Sequence, residues 1–433
     1  MKSIRLTLGF LLFVSGCGQA DYTVNYSETQ NEPIPHEKTV TVAIRSSGNE
    51  DVVEQLLQEY VKNEKKPYHL QVKKIPDDKY EETVNLMMTT GEGPDLMGLT
   101  ANMLMTYIYK DWLVDLKPML ADQLLEAYPE WAVQYSSKIS HDNKLYTLPS
   151  SVTTSRMIYN KQLFVKAGLS PDKPPSTWGQ LEDYAKQISE TGVGDGQYGF
   201  AIAAGDDWHG FRQAMEIPAV LSGIELFNPT TNAYDLQDYV PLLQMFKRMK
   251  EDGTLFPGFS ALKRDTALTQ FSDGDIGMMM ISSDDLAYLV RKTRQTFSWG
   301  VAMPPVEQSA LSSEGKLTVQ PETSYAVNAF SAHNQEAADL WKFIYSHDFQ
   351  RKLYMAAGTL PVRKGIVNQG FSTILHAYEF LPGDKDQLDL SEPKFVNDPY
   401  RWNAYVSVLE GSADMKEQLR KEADRLNAMY KSK

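Results

Sequence analysis

Thr39-Val40-Thr41-Val42-Ala43-Ile44 alternates Val40, Val42 and Ile44 with small residues, the two-residue period of a strand. A polar turn, Arg45-Ser46-Ser47-Gly48-Asn49, follows. Val52, Val53, Leu56, Leu57, Tyr60 and Val61 then recur every three to four residues, the stripe of an amphipathic helix. Leu70 and Val72 begin a second strand, Tyr80, Val84, Met87 and Met88 mark a second helix ended by Gly91, and Asp95 to Leu99 is a third apolar run. Strand, helix, strand, helix, strand predicts a parallel sheet covered by helices, an α/β fold. Ligands of such sheets gather beyond the carboxyl ends of the strands, which points first to Arg45–Asn49 and Thr100–Asn102.

The same texture continues downstream. Thr177-Trp178-Gly179-Gln180 has the spacing of a capping box, and Trp178, Leu181, Ala185 and Ile188 share one helix face behind it. Ala337, Leu340, Trp341 and Ile344 form another such face. Met278-Met279-Met280 reads as a core strand, and Val306 to Val319 as a polar surface loop. Gly411-Ser412 opens a closing helix striped by Met415, Leu419, Leu426 and Met429. The chain shows no internal repeat of solenoid length.

Ahead of Thr39 the chemistry is different. Lys2 and Arg5 precede an apolar run from Leu6 to Val14, too short to span a bilayer that needs about 20 helical residues. Val14-Ser15-Gly16-Cys17 resembles the lipobox of bacterial lipoproteins, which implies removal of residues 1–16 and a diacylglyceryl thioether on Cys17. Residues 17–37 then read as a lipidated N-terminus and a polar tether ending in Pro33 and Pro35. Cys17 is the sole cysteine, so no disulfide can form within the chain and packing alone must hold the body together. At 433 residues the chain exceeds what one core usually serves, and two lobes are expected. The net charge of −13 argues against nucleic acid as a partner. A single lipid-anchored chain, monomeric and outside the cytoplasm, is the expectation.

Catalytic signatures are sparse. Seven histidines are scattered without metal-ligand spacing, and there is no H-E-x-x-H, G-x-S-x-G or P-loop. Gly91-Glu92-Gly93-Pro94 lacks the Lys-Ser/Thr of a phosphate loop and follows a helix. Paired carboxylates such as Asp206-Asp207 and Asp284-Asp285 leave a glycoside hydrolase open by residue type, but 56 acidic residues supply such pairs by chance. No enzyme activity, cofactor or metal is expected.

Six stretches, in order, are similar to the extracytoplasmic solute-binding proteins of ABC importers, in the branch of maltose- and oligosaccharide-binding proteins. They are Thr90–Leu96, Leu145–Pro149, Ile158–Phe164, Pro175–Trp178, Phe271–Met278 and Gly358–Val362. The resemblance implies a two-lobed periplasmic-binding-protein-like α/β fold, with a hinge and a ligand cleft between the lobes. It would put lobe one at 38–151 plus 304–361 and lobe two at 152–303 plus 362–433. It implies capture of a small molecule, in this branch a sugar, and delivery to the transmembrane permease subunits of an ABC importer. A peptide or an anionic metabolite is the alternative solute, for which Arg45 and Arg156 are the candidate cations.

Sugar recognition needs aromatic rings against pyranose faces and polar groups for the hydroxyls. Trp208 and His209, in a polar glycine-flanked loop after the Tyr198–Ala203 strand, meet that need. So do Tyr400 and Trp402, where the family places a stacking aromatic. Asn102 matches a polar cleft position of the maltose-binding branch, whereas Leu99 stands at its neighbouring aromatic position. Asp284 follows the strand ending at Ile281, and its alternative role is helix capping. Ser46 follows the first strand. Thr153 and Thr154 follow the first crossing between lobes, and Glu322 and Tyr325 precede a strand read at Ala326–Ala329.

Overall fold

The computed structural model describes residues 38–46, 48–120, 122–140, 142–205, 209–228, 230–292, 297–312, 318–321, 323–367, 374–382, 387–388, 402–411 and 414–431. The first lobe is built on four strands: β1 (Lys38–Ser46), β2 (Tyr68–Pro76), β3 (Leu96–Leu99) and, from far along the chain, β12 (Ser324–Val327). Their order is β12-β3-β1-β2, with β1 parallel to β2 and β3, and β12 antiparallel to β3. Helices Glu50–Asn63 and Asp77–Thr89 make the two crossovers. Val40, Val42 and Ile44 turn to one core, Ala43 to the core on the other face, as the alternation requires.

Asp95 ties this sheet together at its amino end. Its Oδ2 accepts from the Thr41 N–H at 2.7 Å and the Thr41 hydroxyl at 2.8 Å, and Oδ1 accepts from the Ser331 hydroxyl at 2.5 Å. The Asn328 N–H bonds the Asp95 carbonyl, so one residue joins β1, β3 and the end of β12. Gly93 is equally fixed, since a Cβ there would lie 2.4 Å from the Met88 sulfur. The glycine-proline-acid motif is scaffold.

The second lobe carries β5 (Ser155–Asn160), β6 (Tyr198–Ala201), β9 (Ile276–Ser282) and β10 (Trp299–Ala302), in the order β10-β5-β9-β6. β6 runs parallel to β9, and β5 antiparallel to both β9 and β10. A short hairpin, β7 (Phe227–Asn228) and β8 (Ala233–Tyr234), packs against the closing helix Met415–Lys431. Met278, Met279 and Met280 are buried within β9. Asn160 caps the helix Lys161–Lys166, its Oδ1 accepting from the Gln162 and Leu163 N–H groups.

Between the two sheets runs a third, β13-β11-β4, made of β4 (Val152–Thr153), β11 (Thr318–Pro321) and β13 (Gln387–Leu388). The chain passes through β4 straight into β5 of lobe two, and through β11 into β12 of lobe one. Pro149 bridges Ser324, Val152 and Thr153 pair with Pro321 and Gln320, and Ser151 bridges Pro361. These stitched crossings link the lobes. The stretch read as a polar loop, Val306 to Val319, contains a 3-10 turn at Gln308–Ser312 and the start of β11. Gly411 separates helix Trp402–Glu410 from Met415–Lys431.

Candidate functional site

The carboxyl ends of β6 and β9 and the start of β5 lie at one end of the second sheet, as the Ser155–Ser282 register requires. That end meets the crossing strand β4. Here the Thr153 hydroxyl donates to Asp284 Oδ2 at 3.1 Å. Asp284 is exposed and opens the helix Ser283–Lys292, while its neighbour Asp285 is buried. The two acids divide the work. Asp285 Oδ2 accepts from the Ser282 N–H at 2.8 Å and the Ser282 hydroxyl at 2.9 Å, and its Oδ1 lies 3.3 Å from Arg264 Nε. That fixes the helix start. Asp284 stays at the surface.

Thr154 is 1% exposed, and its hydroxyl donates to the Phe380 carbonyl at 2.5 Å. Arg156 lies beneath it, 3% exposed. Its Nε donates to the Glu379 carbonyl at 2.8 Å and its two terminal nitrogens to the Ser155 and Leu381 carbonyls. Both side chains fasten the turn Ala377–Phe380 to β5. Arg45, at the end of β1, is ion-paired with Asp77 at 3.0 Å, and Ser46 beside it is half-buried opposite Pro76.

Asn102 lies half-buried in the first turn of helix Ala101–Tyr109, behind Thr100, whose hydroxyl accepts from the Met103 N–H at 3.3 Å. The Tyr325 ring is buried in β12 in the core of lobe one. Burial raises its phenol well above the usual range, and Arg45 nearby offsets only part of that. Trp402 is half-buried at the start of helix Trp402–Glu410, packed against the lobe-two core, and Tyr405 on the same helix is fully buried. Cys17, Trp208, Glu322 and Tyr400 lie outside the described residues, as do residues 17–37. His209 begins a helical turn, but its side chain is also outside them.

The structure thus brings Thr153 and Asp284 together, and sets Ser46 and Asn102 on the corresponding edge of the first sheet. Two polar residues that sequence reasoning passed over lie in the helical segment after β6. Gln213 and Glu216 are each 6% exposed. The signal available was three polar residues, Arg212, Gln213 and Glu216, set among Phe211, Ala214, Met215 and Ile217 before Pro218. Among the described residues no group of His, Cys, Asp and Glu is arranged to hold a metal, and no helix is long and apolar enough to cross a membrane.

Residues 55–377 match the family model of bacterial extracellular solute-binding proteins. A putative binding protein of Brucella abortus is 25% identical over 299 residues, 67% of each chain. The sn-glycerol-3-phosphate-binding periplasmic protein UgpB of Shigella flexneri is 26% identical over 278 residues, 61% of this chain and 57% of its own. Among solved structures, the sugar-binding protein MalE of Xanthomonas citri superposes with a TM-score of 0.75 at 17% identity, over 91% of this chain and 98% of the other. At that identity the likeness speaks for the fold.

Proposed function

Since the chain belongs to the bacterial extracellular solute-binding proteins, we propose that it captures a neutral carbohydrate between its lobes and delivers it to the permease of an ABC importer. The observation that carries the choice of solute is the state of the two arginines at the strand ends. Arg45 is ion-paired with Asp77, and the Arg156 guanidinium is spent on three backbone carbonyls. Thr153 and Asp284 offer hydroxyl and carboxylate chemistry instead, which suits sugar hydroxyls. Binding would favour the closed form through contacts with both lobes at once. The body would be held at the outer face of the membrane by lipid on Cys17, and replacement of Cys17 by Ser should release it into the medium.

A phosphorylated small molecule is the second reading, favoured by the relative named for sn-glycerol 3-phosphate. A thermal-shift comparison of maltotriose and sn-glycerol 3-phosphate separates the two. A ligand at 100 times its Kd adds about 2.7 kcal/mol of stability, which is readily seen. Maltotriose should raise the melting temperature and glycerol phosphate should not. The reverse result overturns the carbohydrate reading.

A further inference from the structure

Pro218 shapes the helical segment His209–Leu221. A proline inside a helix donates no hydrogen bond, and its ring crowds the carbonyl four residues back, here Ala214. The turn before it is widened to a π-helix over Arg212–Glu216, and the Ile217 N–H bonds to the Arg212 carbonyl five residues back. Such single wide turns recur at functional sites. The segment is also pinned at its start, because a Cβ on Gly210 would lie 1.6 Å from the Ala203 carbonyl oxygen.

One face of this segment is apolar. Phe211, Ala214, Met215 and Ala219 join the lobe-two core. Gln213 and Glu216, in the same wide turn, are polar and nevertheless buried. What covers them follows from the neighbours. The wide turn packs on β9, which ends at Ser282 beside Asp284, and the turn Ile217–Leu221 packs on β11, whose Gln320 pairs with Thr153. The segment that carries the polar pair therefore spans from the second sheet to the crossing strands, against the strand that leads to Asp284 and the strand that pairs with Thr153. Within that enclosure Gln213 Oε1 has no hydrogen-bond partner among the described residues. A buried acceptor left so costs stability, and sequences retain such groups where function needs them.

We propose that Gln213 is a solute-binding residue, its buried amide reserved for a hydroxyl of the molecule captured beside Thr153 and Asp284. The proposal rests on the neutral-carbohydrate reading and sharpens it. The amide oxygen is an acceptor, and Asp284 adds negative charge to the same end of the lobe. An unpaired amide oxygen suits a solute that brings O–H donors, and the acid disfavours a phosphate, which brings negative charge and few protons.

The test is Gln213→Met, which keeps the volume and removes the amide. The ligand-free protein should melt higher than wild type, by roughly 2 °C, because an unpaired acceptor has gone. Maltotriose affinity, read by titration calorimetry, should fall at least tenfold. A lower melting temperature, or failure to fold, would show that the amide holds the structure and would overturn the proposal. Unchanged maltotriose affinity would overturn it as well. If maltotriose fails to bind the wild type, the carbohydrate reading falls on its own, and the melting of the ligand-free variant still decides whether the amide is structural.

Discussion

The Thr153 hydroxyl donates to the Asp284 carboxylate over 3.1 Å, joining a crossing strand to the first turn of the helix that follows β9. Thr153 is 6% exposed, whereas Asp284 faces outward. The hydroxyl is a neutral donor to a carboxylate that has about four acceptor sites, so this bond orients the acid without burying it. The buried capping role falls to Asp285 instead.

Replacing Asp284 with Ala should therefore cost ligand affinity rather than stability. A lost charge-assisted hydrogen bond is worth about 1.5–3 kcal/mol, a rise in Kd of tenfold or more. Calorimetry with maltotriose should show that rise while the melting temperature moves by about a degree or less. A large drop in melting temperature with unchanged Kd would place Asp284 among the structural groups.

Asp95 predicts the opposite pattern. It is 8% exposed and accepts from Thr41 twice and from Ser331 once. Asp95→Ala leaves the Thr41 N–H without its side-chain acceptor and loosens three chain segments at once. Denaturant melts should show a loss of about 3 kcal/mol. Where the variant remains folded, its ligand affinity should match wild type, since the carboxylate lies at the amino end of the sheet, away from Thr153.

Glu410 sets part of the response to acid. The Ser260 hydroxyl at 2.8 Å, and then the Lys250 ammonium at 3.1 Å, hold its carboxyl below the usual glutamate range. A pKa depressed in the folded state means that the contribution is present above the unfolded value, about 4.3, and is lost as pH falls through the folded value. Glu410→Gln should thus lower the melting temperature at pH 6 and converge with wild type near pH 3. Parallel curves across that range would remove Glu410 from the acid response.

These contrasts mark how far the sequence could be read. Local chemistry was legible because its signal lies within a few residues. The Thr177 hydroxyl accepts from the Gln180 N–H at 3.2 Å as the spacing predicts, although the reciprocal bond runs from the Ser176 N–H to Gln180 Oε1. The alternation over Thr39–Ile44 likewise gave β1 its buried face, and the resemblance of the spaced motifs gave the two-lobed fold. Side-chain roles at the crossing were not legible. Thr154 was a candidate by position, yet the acceptor that takes its hydroxyl, Phe380, lies 226 residues away. β4 and β13 are two residues long, too short for any period to appear. The wide turn before Pro218 required knowing that the segment is helical through the proline.

Gly210 gives the clearest steric prediction. A Cβ there would meet the Ala203 carbonyl oxygen at 1.6 Å and its carbon at 2.4 Å, both rigid backbone atoms. Gly210→Ala must push the helix off the end of β6, and overpacking of this kind costs about 1–3 kcal/mol. The displacement would also shift the wide turn that carries Gln213, so on the proposed role of that residue affinity for maltotriose should fall together with stability. Gly179→Ala is the control. It lies in the helix Trp178–Gly192, and its Cβ would meet nothing within 4 Å. There the loss of unfolded-chain freedom should stabilise the protein by about 0.4–1 kcal/mol and leave affinity unchanged. Guanidinium melts of the two variants should move in opposite directions. A Gly210→Ala protein as stable as wild type would mean that the helix is not seated against Ala203.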